Sequence, residues 1–401
     1  MIPKPKVKDP LFKNSLFLMF SSAETALFGF IFWFLAAKIY TAEAVGIAAA
    51  IISSVGLLNL ISRLGFDESM IRFLPEMDRG RVFWTSAIFT ATFATLFGIF
   101  FYMFIDFFPS LSILKEVFPL YIFLLISSSF LSTNSSFFIS MRKAEISFVQ
   151  TTFLGTRILF LIPFSFLGTV GILFSLASAL LFALTFSSIL ILKFKIKFKF
   201  DEKFLKRSLS FSAGNYTANS LTSLPSMLMP IIVLNVLGAE ENAIYYISYA
   251  IGAFLFIIPS SFGTSLFVEG SYGERMKEKA IKSIFGTYLL LFPAVFLTVF
   301  LGEYLLAFLG KNYEKGLFLL RIFAISSLFA PFFSIYSTIK RVQRDLKGLI
   351  AMSSILSFSL ITLSYSFMLL YGMNGIGYSW LLSYALCSIF IAAMAKKNRW
   401  I

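Results

Sequence analysis

Three ionisable side chains stand inside long apolar runs of this 401-residue sequence: Glu24 in MFSSAETALFG, Arg157 in FLGTRILFLI and Arg321 in KGLFLLRIFAISS. A charge at the centre of a bilayer costs about 2.5–3.5 kcal/mol on insertion scales, so each needs a reason. Glu24 has no charged neighbour in sequence closer than Lys13 or Lys38. At 1.5 Å per residue it lies roughly 15 Å into its run, near the midplane and beyond snorkelling reach. Ser21, Ser22 and Thr25 surround it with hydroxyls, and three- and four-residue spacing puts Ser21, Glu24 and Thr25 on one helix face. That face is expected to look into a cavity rather than at lipid. Arg157 falls at a similar depth in a second outward-running span. A Glu24–Arg157 pair is therefore expected, since pairing lets both ions persist at low dielectric. Such a pair either fixes helix packing or lets Glu24 exchange Arg157 for a proton, a cation or a substrate. Arg321 lies close to the outer end of its span, where a long side chain snorkels or meets an anionic headgroup.

The uncharged run SFSAGNYTANSLTSLPSMLMPIIVL (210–234) holds Asn215, Tyr216, Asn219, Ser220, Thr222 and Ser223, then Pro225 and Pro230. Asn215, Tyr216 and Asn219 are candidate cavity residues; interhelical hydrogen bonding is the alternative. The prolines free backbone carbonyls and permit a bend. The dense cluster LGFDESMIRFLPEMDRGR (64–81) reads as a surface charge network and loop anchor, because its carboxylates follow no metal-ligand spacing. With no histidine and a single cysteine, Cys387, imidazole and thiolate metal sites, disulfide frameworks and His-based acid–base chemistry are excluded. No catalytic residue, metal or cofactor is expected, and the chain reads as a non-enzyme.

The elements that must position these residues are membrane helices. Hydrophobic residues make up 58% and charged residues 13% of the sequence, and the mean hydropathy is +0.86. Runs of about 20 apolar residues recur, each long enough to cross roughly 30 Å of hydrocarbon as a helix. About twelve spans are expected, near 15–38, 43–63, 82–105, 117–140, 147–166, 169–192, 209–236, 243–267, 280–302, 316–339, 348–371 and 374–395. The fold class is thus an all-α polytopic membrane protein. The basic N-terminal segment is followed by no small-residue cleavage site, so the first span is expected to be retained. Of the 34 Lys and Arg, Lys38, Lys115, Lys311 and Lys315 lie on one side, Arg157 and Arg321 lie within spans, and the other 28 share the opposite side with both termini. The positive-inside rule makes that side cytoplasmic, in a multi-pass protein of the plasma membrane. The net charge of +14 then reflects topology and anionic inner-leaflet lipid, and no nucleic-acid partner is expected.

Two halves share one plan. YTAEAVGIAAAIISSVG (40–56) is answered by LGAEENAIYYISYAIGA (237–253), so that Ala42-Glu43 matches Ala239-Glu240; Ile126-Ser127-Ser128 matches Ile325-Ser326-Ser327 and Arg142 matches Arg341. Six spans per half keep the orientation, so two bundles, 1–200 and 201–401, are expected to be related by an axis along the membrane normal. Between them runs ILKFKIKFKFDEKFLKRSL (191–209), read as an interfacial tether. Phe194, Ile196, Phe198 and Phe200 are expected to dip into the headgroups, with Lys193, Lys195, Lys197 and Lys199 on anionic lipid. No loop exceeds about 20 residues, so function is expected in or between the bundles.

The stretch Ile71-Arg72-Phe73-Leu74-Pro75-Glu76 after a glycine-containing second span, with Ser265-Leu266-Phe267-Val268-Glu269-Gly270-Ser271 in the second half, resembles prokaryotic polysaccharide-biosynthesis flippases. Their superfamily also holds multidrug and toxin extrusion (MATE) antiporters and lipid II flippases. The resemblance implies a V-shaped pair of bundles around a central cavity that opens alternately to each side. It further implies a lipid-linked oligosaccharide substrate, a polyprenyl-pyrophosphate glycan, and coupling to H+ or Na+ through an acidic residue of the first span, the role that Glu24 matches. Arg157 is then the deep cation available to the pyrophosphate. Against the lipid II flippases' pattern, no charge-rich first span and no extra C-terminal helices are expected here, so a lipid II substrate is not expected. A cation-coupled extruder of organic cations and a non-transporting scaffold are the other readings.

Overall fold

The computed structural model describes residues 10–211, 213–271 and 276–397, and among these every regular element is helical. The chain divides into two compact units that part between Tyr216 and Thr217. In the first run α1 (Pro10–Ile39), α2 (Ala42–Arg63), α3 (Phe66–Phe73), α4 (Arg79–Met103), α5 (Phe118–Ser140), α6 (Ala144–Gly155), α7 (Arg157–Phe160), α8 (Thr169–Lys193) and α9 (Glu202–Phe211). Then follow α10 (Ala213–Leu237), which carries the division, α11 (Ala239–Ser271), α12 (Met276–Leu309), α13 (Lys311–Glu314), α14 (Leu317–Ser327), α15 (Ala330–Val342), α16 (Leu346–Tyr371) and α17 (Met373–Lys397).

Ten of these helices are long and apolar enough to cross a membrane, and α14 with α15, bent by 43°, makes an eleventh if taken as one span. The protein is a multi-pass membrane protein. The difference from twelve lies at 147–166. There the chain forms the 12-residue α6 and the single turn α7, followed by a 3₁₀ turn at Ser165–Leu167. Helical bonding slips at Gly155-Thr156, where the Thr156 hydroxyl donates to the Phe153 carbonyl (2.6 Å). Pro163 beyond it has no N–H to continue the ladder, and the Tyr40 hydroxyl takes up the buried Leu161 carbonyl (2.7 Å).

Side chains of neighbouring helices satisfy the backbone at several of the breaks, as the absence of water in hydrocarbon favours. Pro225 withholds a donor from the Leu221 carbonyl, and the Ser357 hydroxyl of α16 donates to that oxygen. At the α14–α15 bend, Tyr288 donates to the Leu328 carbonyl (2.8 Å) and Ser388 to the Phe329 carbonyl (2.9 Å). Around Pro259 of α11, Ser334 and Thr338 of α15 donate to the carbonyls of Pro259 (2.7 Å) and Gly263 (3.1 Å). Helix starts are set by side-chain caps: Thr41 on α2, Asp78 on α4 and Asp345 on α16 each accept a backbone N–H of the first turn. The turns that open α8 and α17 are alike. Gly168 (φ +55°) and Gly372 (φ +58°) adopt a left-handed conformation, and the third residue beyond each, Gly171 and Gly375, approaches a carbonyl too closely for a Cβ.

The basic tether lies against the first unit. Phe194 and Ile196 pack with the cluster of Phe66, Phe73, Phe83, Phe137 and Phe204 rather than dipping free, and Lys143 sits 4.7 Å over the Phe194 ring. Phe198 rests on Trp84 with ring centroids 5.1 Å apart, yet it and Phe200 stay over half exposed. Asp201 caps α9 by accepting from Lys203 N (2.9 Å) and Phe204 N (3.0 Å), and binds Arg81 (3.2 Å). The Phe204 N–H foremost, with Arg81, holds the Asp201 carboxyl below the usual carboxylate range. The cluster at 64–81 forms a charge network: Arg63 meets Asp67 (2.8 Å), Arg72 meets Glu76, and Glu76 also faces Arg207 (3.7 Å).

Candidate functional site

α1 and α6 lie side by side and parallel, with each α1 residue opposite the one about 128 positions later. Asn14 accepts from the Ala144 N–H (3.1 Å), Phe20 meets Phe148 (centroids 6.5 Å), and the Phe28 ring occupies the space a Cβ at Gly155 would need. In this register Glu24 faces Thr152, whose hydroxyl donates to Glu24 Oε1 at 2.6 Å. Charge-assisted hydrogen bonds of this kind are short and strong. The other carboxylate oxygen, Oε2, is buried with no hydrogen-bond partner among the described residues, and so is Ser21 Oγ one turn earlier. Thr25 donates to the Ser21 carbonyl (2.7 Å) and Ser22 to that of Leu18 (3.0 Å), so neither hydroxyl serves the carboxylate.

The expected Glu24–Arg157 ion pair is not formed. Arg157 lies five residues past Thr152, about 7.5 Å further along the helix. Its guanidinium stands opposite Gly29 and over the buried Phe32 ring, 4.8 Å from the centroid, a cation–π contact. Counting each helix from its own start hid this, because α1 begins a full turn before the level of Ala144. Thr152 was missed for the same reason. Its signal in the sequence was one face of α6, Phe148, Thr152 and Gly155, which runs nearly in step with Phe20, Glu24 and Phe28 on α1.

The other candidates sit elsewhere. Tyr216 is half-buried on α10, and the side chain of Asn215 lies outside the described residues. Asn219 accepts from Arg341 of α15 (2.7 Å), a residue the sequence singles out only as the match of Arg142. Arg321 donates to the Val299 carbonyl (3.1 Å) and lies 4.0 Å from Glu303, so it is held against α12. No group of three or more metal-ligating side chains occurs among the described residues. A half-buried carboxylate with one oxygen committed to Thr152 and the other without a hydrogen-bond partner among the described residues can accept a small or organic cation at Oε2.

The fold is similar to that of solved membrane transporters. The chain is similar to an inward-facing multidrug resistance MATE family transporter (TM-score 0.75, 13% identity, covering 93% of this chain and 94% of that one). It is similar also to the lipid II flippase MurJ in an inward closed conformation (0.78, 15%, 95% and 87%). A MOP superfamily transporter from Pyrococcus furiosus matches as well (0.63, 13%, 97% and 95%). No curated protein matches the sequence. The chain belongs to the polysaccharide biosynthesis protein family, which matches residues 11–225.

Proposed function

We propose that the protein is a flippase that carries a lipid-linked oligosaccharide across the plasma membrane by alternating access, from the inner to the outer leaflet, driven by an ion gradient. Family membership over residues 11–225 is the observation that carries this reading. The similarity to a lipid II flippase over 95% of the chain supports the fold it needs. Glu24 is the coupling group in this account. Thr152 holds one oxygen, and the other takes H+ or Na+. Arg157, over the Phe32 face, is the deep cation that would meet a pyrophosphate, exchanging its present contacts for it. The test is a reconstituted vesicle carrying a fluorescent polyprenyl-pyrophosphate sugar in one leaflet, with and without an imposed pH or Na+ gradient. Gradient-dependent movement supports the reading, and none under either gradient contradicts it.

One observation favours a second reading, a cation-coupled extruder of organic cations. Glu24 without Arg157 at its side retains a carboxylate oxygen for a cationic guest. Gradient-driven efflux of a cationic dye from the same vesicles, without sugar-lipid movement, selects it.

A further inference from the structure

In the second unit the first turns of α12, the last turns of α15 and the last turns of α17 enclose a cavity of about 290 Å³. Ala280 and Ile335, packed with the buried Leu266, line its apolar wall. Two polar side chains, Lys277 where α12 begins and Gln343 where α15 ends, stand at its lip; Tyr336, which also lines it, directs its hydroxyl to the Gly348 carbonyl (3.3 Å). The neighbouring lysines are neutralised, Lys279 by Glu269 (2.7 Å) and Lys340 by Asp345 (2.6 Å). Lys277 is not paired with any carboxylate among the described residues.

The α12 wall continues into a strip of Ile281, Phe285, Leu289, Phe292 and Phe296, each half exposed or more. In a membrane helix such a strip faces hydrocarbon, so the groove opens to lipid and its occupant arrives from lipid. The volume, near the lower end of the usual range for ligand sites, suits one alkyl chain. The lip lies at helix ends rich in Lys and Arg, at headgroup depth and on the cytoplasmic side by the charge rule. The geometry points to a binding site for one anionic phospholipid. Its acyl chain fills the groove, its phosphate meets Lys277, and the Gln343 amide donates to a further lipid oxygen. A zwitterionic lipid, whose own ammonium neutralises its phosphate, gains less from Lys277. This site is independent of what the protein carries.

The test uses the full chain in phosphatidylcholine vesicles with a trace of phosphatidylglycerol bearing a diazirine on one acyl chain, irradiated and mapped by peptide mass spectrometry. Labelling is expected at the cavity turns of α12 and α17, displaced by unlabelled phosphatidylglycerol and not by excess phosphatidylcholine. Lys277→Gln is expected to lower it about fivefold, the contribution of one surface cation toward anionic lipid. Ala392→Phe, which fills the groove at an exposed position, is expected to remove it. Labelling of the Leu289–Phe296 strip, unchanged in both variants, reports intact insertion. Cavity labelling insensitive to Lys277→Gln, or spread evenly over the exposed helices, overturns the proposal. Displacement by a polyprenyl phosphate but not by phosphatidylglycerol overturns it in favour of a polyprenyl occupant.

Discussion

Replacing Thr152 by Val takes from Glu24 its one hydrogen-bond donor among the described residues while keeping the side chain's shape. Hydrogen bonds to charged groups contribute about 1.5–3 kcal/mol, so transport in vesicles is expected to fall at least about tenfold. Thr152→Ser, which keeps the hydroxyl, is expected to retain most of it; equal loss in both variants contradicts a role for the hydrogen bond. Gly155→Val forces a side chain into the Phe28 ring. Overpacking of this kind costs about 1–3 kcal/mol, expected as a lowered melting temperature in detergent. At this scale the sequence identified Glu24 as the unusual residue, through its depth and its hydroxyl neighbours, but assigned it the wrong partner. Pairing across helices depends on the axial offset between them, which Coulomb attraction between two residues does not determine. Close contacts of Phe20, Phe28, Phe148 and Gly155 set the offset instead.

Among the elements, the broken spans carry the specific chemistry. Ser357→Ala leaves the Leu221 carbonyl without its side-chain donor, a loss of about 0.6 kcal/mol and at most roughly 1.7 by membrane-protein precedent. In a Pro225→Ala background, which restores the backbone donor, the same change is expected to cost less; equal melting shifts in both backgrounds contradict the coupling. The tether makes a pH prediction. Its Asp201 is held below the ordinary value of 3.8, so its contribution is fully present above about pH 3.8 and is lost as pH falls through the lowered folded value. Proteolysis of the tether is expected to be unchanged between pH 8 and 5 and faster at neutral pH in Asp201→Ala. Most spans were legible because a hydrophobic run of about 20 residues has one solution in lipid. The segment at 147–166 was not, since its apolar composition conceals the slip at Gly155-Thr156 and the break before Pro163, where the Leu161 carbonyl takes its hydrogen bond from Tyr40 in the turn between α1 and α2.

For the whole molecule, the charge asymmetry predicts an orientation. In a Cys387→Ser background, Lys115→Cys is expected to react with a membrane-impermeant maleimide added outside intact cells, and Lys206→Cys only after lysis; the reverse pattern contradicts cytoplasmic termini. Ala42-Glu43 and Ala239-Glu240, the residues from which a repeat is expected, open α2 and α11, and a glycine turn precedes both α8 and α17, while the two compact units part at Tyr216 and Thr217 rather than at 200. What composition could not show is how far α10 belongs to either unit, because Tyr216 and Thr217 fall within one unbroken helix. The central claim is that Glu24 couples an ion gradient to movement of a sugar-lipid. Its most direct measurement is the initial rate of fluorescent polyprenyl-pyrophosphate-sugar movement in vesicles holding equal amounts of wild-type and Glu24→Gln protein, with and without a gradient. The account predicts gradient stimulation in the wild type and none in Glu24→Gln, and gradient-stimulated movement surviving in Glu24→Gln contradicts it.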